Sequence, residues 1–150
     1  MSGNKAKYLS YQEAWRRIKD AQRHRYYFEA VTLCESIISD RLLSYIHSEN
    51  PNAKADVRTQ FSSLIREWRK AAVTLPEYNR KQDLAVAVDS WRKERNAVIH
   101  VLTKSTPGTP TAPIDTFLSR SEAAADEGAK LARAVSNWHR KQQSAKRAKK

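Results

Sequence analysis

Glycine is scarce, with three in 150 residues, and cysteine occurs once. Few glycines, together with 40% apolar residues, point to a regular, helix-rich chain with few tight turns. A single cysteine, Cys34, builds neither a disulfide framework nor a zinc site, so the expectation is core packing in a reducing compartment. Alternating runs of β-branched residues are also few, so strands are not expected. The longest apolar run, "LAVAV", has five residues, far short of a membrane span. The opening residues "MSGNKAKYLS" hold no apolar stretch of a secretory signal, so a cytoplasmic chain without membrane attachment is expected. Phosphate-binding glycine loops, dinucleotide fingerprints and serine elbows are missing as well. His24, His47 and His139 lack metal-ligand spacing with carboxylates or Cys34. They read as surface or capping residues, and neither a metal nor a cofactor is expected.

Negative charge is the last shortage. Twenty-eight lysines and arginines face 16 carboxylates, a net +12. Such an excess suggests a polyanionic partner, with nucleic acid first. Half of it sits in the last eleven residues, "RKQQSAKRAKK", which read as a solvated end. Residues 1–142 are expected to form one helical domain, and 143–150 a disordered basic tail.

Hydrophobic periodicity gives five helices, at about 10–22, 25–48, 55–73, 80–103 and 114–142. The fold class expected is all-α, an up-and-down bundle of four to five helices. Ser10 with Glu13 has the spacing of a capping box, and Asp115 or Ser121 offers a cap for the fifth helix. The third helix carries Phe61, Leu64, Ile65 and Trp68 at i, i+3, i+4, i+7. "KSTPGTPTAP", residues 104–113, is a loop, and no short turn joins a helix pair in the manner of helix-turn-helix proteins. Trp15, Trp68, Trp91 and Trp138, one on each of four helices, read as core.

The stretch "SWRKERNAVIHVLTK", residues 90–104, breaks this pattern. On a helical wheel Leu84, Val88, Trp91, Val98, Ile99 and Leu102 fall within about 60° of one direction, and so does Arg95. A guanidinium in an apolar stripe must pair, hydrogen-bond or reach an opening. The second helix has the complementary anomaly. Glu35 lies inside the arc of Phe28, Val31, Cys34, Ile38, Leu42, Tyr45 and Ile46. The two charges are therefore expected to meet, either as an ion pair fixing helix register or with Glu35 aiming Arg95 into a polar crevice. Asn96 and His100 share a face at i and i+4. A guanidinium, an amide and an imidazole are the parts needed to cleave RNA without metal, using the 2′-hydroxyl as nucleophile.

"RNAVIH", Arg95 to His100, resembles the Arg-polar-x-x-x-His signature of HEPN domains, small helical bundles found in many ribonucleases of toxin–antitoxin and phage-defence systems. Arginines upstream of histidines occur elsewhere in the chain, but only Arg95 is followed by an amide. "YYFEAVTLCESIISDRLLSYI" is similar to the long second helix of such bundles. The resemblance implies a homodimer with the motif helices near the two-fold axis, Arg95, Asn96 and His100 as catalytic residues, RNA as substrate and an antitoxin or regulatory protein as partner. Non-catalytic members make an interaction or nucleotide- and RNA-binding module the alternative. Separately, "WRRIKDAQRHRYYF" interleaves cations with aromatics, so Arg16, Arg17, Arg23, Arg25 and Tyr26, with Arg92 of the fourth helix, are candidate RNA contacts.

Overall fold

The computed structural model of the chain describes residues 2–101, 106–111 and 113–149. Five helices pack together: α1 (Ser2–Arg23), α2 (Tyr27–Glu49), α3 (Phe61–Ala71), α4 (Leu84–Val101) and α5 (Ile114–Ala148). A small antiparallel hairpin, β1 (Glu77–Asn79) and β2 (Gln82–Asp83), precedes α4. The all-α expectation holds, and the hairpin is the departure from it.

Local chemistry explains where the boundaries moved. Helix α1 starts eight residues before the expected Ser10 cap. Ser10 lies inside it and donates to the Ala6 carbonyl, while Lys7 and Tyr11 are both tethered to Asp40 of α2. Helix α3 starts at Phe61 rather than about 55, because Asp56 and Thr59 close a turn on each other's backbone. Helix α4 starts after the hairpin, where the Asp83 carboxylate accepts the Val86 N–H at 2.8 Å. Pro113, not Asp115 or Ser121, precedes α5, and Ser121 donates back to the Phe117 carbonyl within the helix. Helix α5 also outruns its expected end near 142. Lys146 donates to the Ser48 carbonyl at 2.8 Å and pairs with Glu49 at 2.6 Å, so part of the basic tail is tied to the C-terminus of α2.

Helices α1 and α2 form an antiparallel hairpin across residues 24–26, close to the two-residue gap between the expected first and second helices. Arg25 holds φ 62° there, and the Tyr26 N–H reaches the Ala21 carbonyl at 2.8 Å, which closes the end of α1. Helix α5 runs parallel to α2, with Phe28 against Phe117 and Tyr45 against Trp138. Helix α4 runs antiparallel to α5, with Trp91 donating to the Ala124 carbonyl and Arg120 to Glu94.

The core is built from all five helices and centres on Trp68, Ile18, Ile38, Leu42, Leu84 and Leu131. Trp68, Trp91 and Trp138 are buried, as expected, and Trp15 is half-buried under Arg133. Cys34 is buried too, and burial pushes its thiol up to about 12. His139 corrects the surface reading of the three remaining histidines, since it is 3% exposed. His24 does cap, through the Asp20 carbonyl, and His47 ties the Ala55 carbonyl.

Burial, and then the nearby cations Arg41 and Lys7, push His139 down to about 4, with Asp40 opposing them. Between its ordinary 6.5 and that value the unfolded chain binds the proton and the folded chain does not. Stability is therefore intact above about pH 6.5 and falls as pH drops through this window, by up to about 3 kcal/mol below pH 4. In urea unfolding at pH 7 and pH 4, His139→Leu should lose less stability on acidification than wild type, by a comparable amount.

Candidate functional site: the α4 ridge and its buried ion pair

Helix α4 rests on α3 and α5 through Leu84, Val88, Trp91 and Val98, all of which are buried. Ile99 departs from the wheel at 39% exposed, and Leu102 lies outside the described residues. Arg95 occupies the place the wheel gave it. Its Nη2 donates to Glu35 Oε1 at 3.0 Å, and its guanidinium lies 5.9 Å from the centroid of the Phe61 ring. The side chains of Arg95 and Glu35 are 16% and 25% exposed. The expected meeting of the two stray charges is thus observed across α2 and α4. Burial raises the Glu35 carboxyl more than Arg95 lowers it, so the pair is under desolvation stress.

One edge of the guanidinium is fixed by Glu35. Of the rest, Nε is buried without a partner, and Nη1 makes no hydrogen bond among the described residues. Leaving Glu35 without its cation should cost about 2 kcal/mol, so Arg95→Ala should unfold at lower urea. Glu35→Gln keeps an acceptor and removes the buried charge, and should stay within about 1 kcal/mol of wild type. Because the folded pKa of Glu35 is raised, acidification through it should relieve part of the Arg95→Ala defect.

Asn96 is half-buried and His100 is exposed. Within one chain the structure does not bring Arg95 and His100 together. They stand about 140° apart around the helix, and among the described residues no hydrogen bond links them. What the helix does align is Asp89, Arg92, Asn96 and His100, which fall within about 80° of one another on the wheel. Arg92 donates to Asp89 at 2.9 Å. Burial would raise the Asp89 carboxyl, but hydrogen bonding and charge from Arg92 and Lys93 outweigh it and hold it low.

The candidate RNA contacts on α1 fare differently. Arg16 and Arg17 are bound to Glu13, Arg16 also to Asp20, and the Glu13 carboxyl is held down to about 2 by hydrogen bonds from those two arginines. Arg23 lies 3.8 Å from Asp20. Helix α1 packs on α2 and α5 and, among the described residues, shares no extended interface with α4. Carboxylates at i, i+3 and i, i+4 on α1 thus partner Arg16 and Arg17, which stand apart from Arg92 of α4. Arg25 and Tyr26 are better placed. Helix directions put their turn, beside Phe117 and Leu118, at the same end of the bundle as His100.

Sequence reasoning missed a second set of cations, Arg66, Arg69 and Lys70 on the flank of α3 that faces Arg92. The signal was present in "REWRK", but the stripe of Phe61, Leu64, Ile65 and Trp68 drew attention to the buried face alone.

These features define an all-α bundle with a polar ridge on α4 and an ion pair at the foot of that ridge. Compared with family models, curated proteins and solved structures, the chain matches none. Among the described residues no helix is long and apolar enough to cross a membrane.

Proposed function

We propose that this chain is a metal-independent endoribonuclease of the HEPN type, acting in the cytoplasm as a homodimer. It would serve as a toxin or phage-defence effector restrained by an antitoxin or regulatory protein. The observation that carries the reading is the α4 ridge: an exposed His100 with Asn96 one turn before it, while Arg95, on another face of the same helix, has one guanidinium edge held by Glu35. In this mechanism His100 takes the proton of an RNA 2′-hydroxyl. The 2′-oxygen bonds to phosphorus, the bond to the 5′-oxygen breaks, and that oxygen leaves with a proton. Arg95 supplies charge to the phosphorane-like transition state through its free edge, and Asn96 orients the phosphate or the imidazole. The products are a 2′,3′-cyclic phosphate and a 5′-hydroxyl.

One chain offers a single motif imidazole, while the reaction needs a base on one side of phosphorus and an acid on the other. A second copy across a two-fold axis supplies it. Support for such a contact comes from Ile99, Phe28, Leu118 and Ile114, apolar residues at the His100 end that are 36–58% exposed. The direct test is incubation of purified protein with RNA in EDTA, followed by analysis of the ends. RNA cut to cyclic phosphates supports the proposal, and intact RNA at micromolar enzyme would sink it.

The Arg95–Glu35 bond itself favours a second reading, a non-catalytic RNA-binding or interaction module in which Arg95 only fixes the register of α2 on α4. That reading expects the Arg95→Ala stability loss without any nuclease activity in wild type.

A further inference from the structure

A shallow groove runs between α3 and α4, with Arg66, Arg69 and Lys70 on one wall and Arg92 with Asp89 on the other. Asp89 binds Arg92, and Lys70 pairs with Glu67 at 3.5 Å, which leaves Arg66 and Arg69 as the cations of the groove without a carboxylate among the described residues. The two arginines of α3 differ from the ion-paired arginines of α1, α4 and α5. Arg16, Arg17, Arg92, Arg95 and Arg120 each have a carboxylate partner. Arg69 has none among the described residues, and Arg66 reaches only the Ser63 hydroxyl, at 3.4 Å. They are held on a buried amphipathic helix whose other face carries Trp68 and Leu64, so their backbone positions are fixed. Concentrated, unpaired guanidinium charge on rigid helices is what a phosphate chain binds.

The groove also has a direction. Arg92 lies on the same face of α4 as Asn96 and His100, and about 12 Å separates Arg92 from His100 along the axis. We infer that the α3–α4 groove is the binding track for the phosphate backbone of single-stranded RNA, and that it leads the strand onto the Asn96–His100 ridge. This rests on the RNA reading proposed above, and it replaces α1 with α3 as the source of backbone contacts. Arg66 and Arg69 act as point contacts to phosphate oxygens. Arg92, pre-set by Asp89, hands the chain to the ridge. Phosphate contacts of this kind fix register without reading sequence.

The experiment uses the full-length chain with His100→Ala, so that RNA stays intact, and a fluorescein-labelled single-stranded oligoribonucleotide read by anisotropy. Arg66→Glu with Arg69→Glu should weaken binding about tenfold or more at physiological salt. It should also lower the slope of log affinity against log salt by about 1 to 2, since each single-strand phosphate contact contributes about 0.7. The matched control, Arg80→Glu with Lys81→Glu in the exposed hairpin turn, makes the same charge change and should have an effect under threefold, an order-of-magnitude expectation for loss of long-range attraction alone. If the doubly reversed α3 variant is misfolded by circular dichroism, Arg66→Gln with Arg69→Gln gives the same readout with a smaller loss.

Equal losses in the α3 and hairpin variants, or unchanged binding in the α3 variant, would overturn the groove. Duplex DNA of the same length bound as tightly as the RNA would overturn its assignment to single-stranded RNA. The two proposals separate cleanly. Wild type that does not cut RNA, with binding still lost on α3 reversal, removes the nuclease and keeps the track. Wild type that cuts, with KM unmoved by α3 reversal, keeps the nuclease and removes the track.

Discussion

His100→Ala is expected to abolish RNA cleavage while leaving the fold untouched. Removing a positioned general base or acid costs about 10²- to 10⁴-fold, and two copies of the residue vanish together in a homodimer. The side chain is exposed, so urea unfolding should shift by no more than about 0.5 kcal/mol. That separation of activity from stability is the diagnostic feature, because Arg95 cannot provide it. Arg95→Ala removes both a catalytic cation and the counter-ion of Glu35, so its loss of cleavage alone would prove nothing. Arg95→Lys is the informative companion. Lysine can still neutralise Glu35 as a point charge, but it has no fork to hold a carboxylate on one edge and a phosphate on the other. Near-native stability with cleavage lost would therefore support the catalytic role. Cleavage persisting in both His100→Ala and Arg95→Lys would end the HEPN-type mechanism, in which these two residues carry the chemistry, whatever the state of the fold.

Trp91→Ala is expected to be the most damaging single truncation in the core, costing about 3–5 kcal/mol. The ring is 3% exposed, and its indole N–H donates to the Ala124 carbonyl of α5 at 2.8 Å. It lies against a glycine. A Cβ placed on Gly128 would stand 2.6 Å from Trp91 Cζ2 and 3.2 Å from the Cys34 Cβ. The three helices α2, α4 and α5 approach closely there because position 128 has no side chain. In an isolated helix Gly128→Ala would gain about 1 kcal/mol of propensity. In this protein overpacking should outweigh that gain and give a net loss of about 1–2 kcal/mol. The two sites should couple strongly. With Trp91 already truncated, the added methyl enters the vacated space, so the double variant should be more stable than the sum of the single losses implies. Urea unfolding of the four proteins measures this coupling directly. Strict additivity would show that the ring and the glycine do not constrain one another.

Much of this architecture was legible in one dimension. The five helices follow from the 3.6-residue recurrence of apolar positions, and the core tryptophans follow from their place in those stripes. Even the Arg95–Glu35 pair was readable, because a charge inside an apolar arc is costly enough to demand a partner, and the chain supplies one opposite charge in an equivalent arc. The element ends were less legible. They depend on particular side-chain-to-backbone bonds, such as Asp83 on Val86 or Asp56 with Thr59, which compete with helix by small energies. The short β1–β2 hairpin has no alternating apolar pattern to announce it, and it is tied to the bundle by Tyr78 bonding Glu127 of α5. His139 was misjudged for a related reason. Its burial comes from the packing of α5 against α1 and α2, and its neighbours in sequence, Arg140 and Lys141, suggest the opposite.

The sequence by itself determined the helical class, the apolar faces and the two charges that had to find each other, because periodicity and the cost of burying charge are local properties of a chain. Only the tertiary structure decided which cations remain free. Arg16 and Arg17 looked available and are taken by carboxylates one turn away, whereas Arg66 and Arg69 looked incidental and stand unpaired beside Arg92. The α1 pairs are local, but the approach of Arg66 and Arg69 to Arg92 joins two helices, and that distance exists only once the helices have packed.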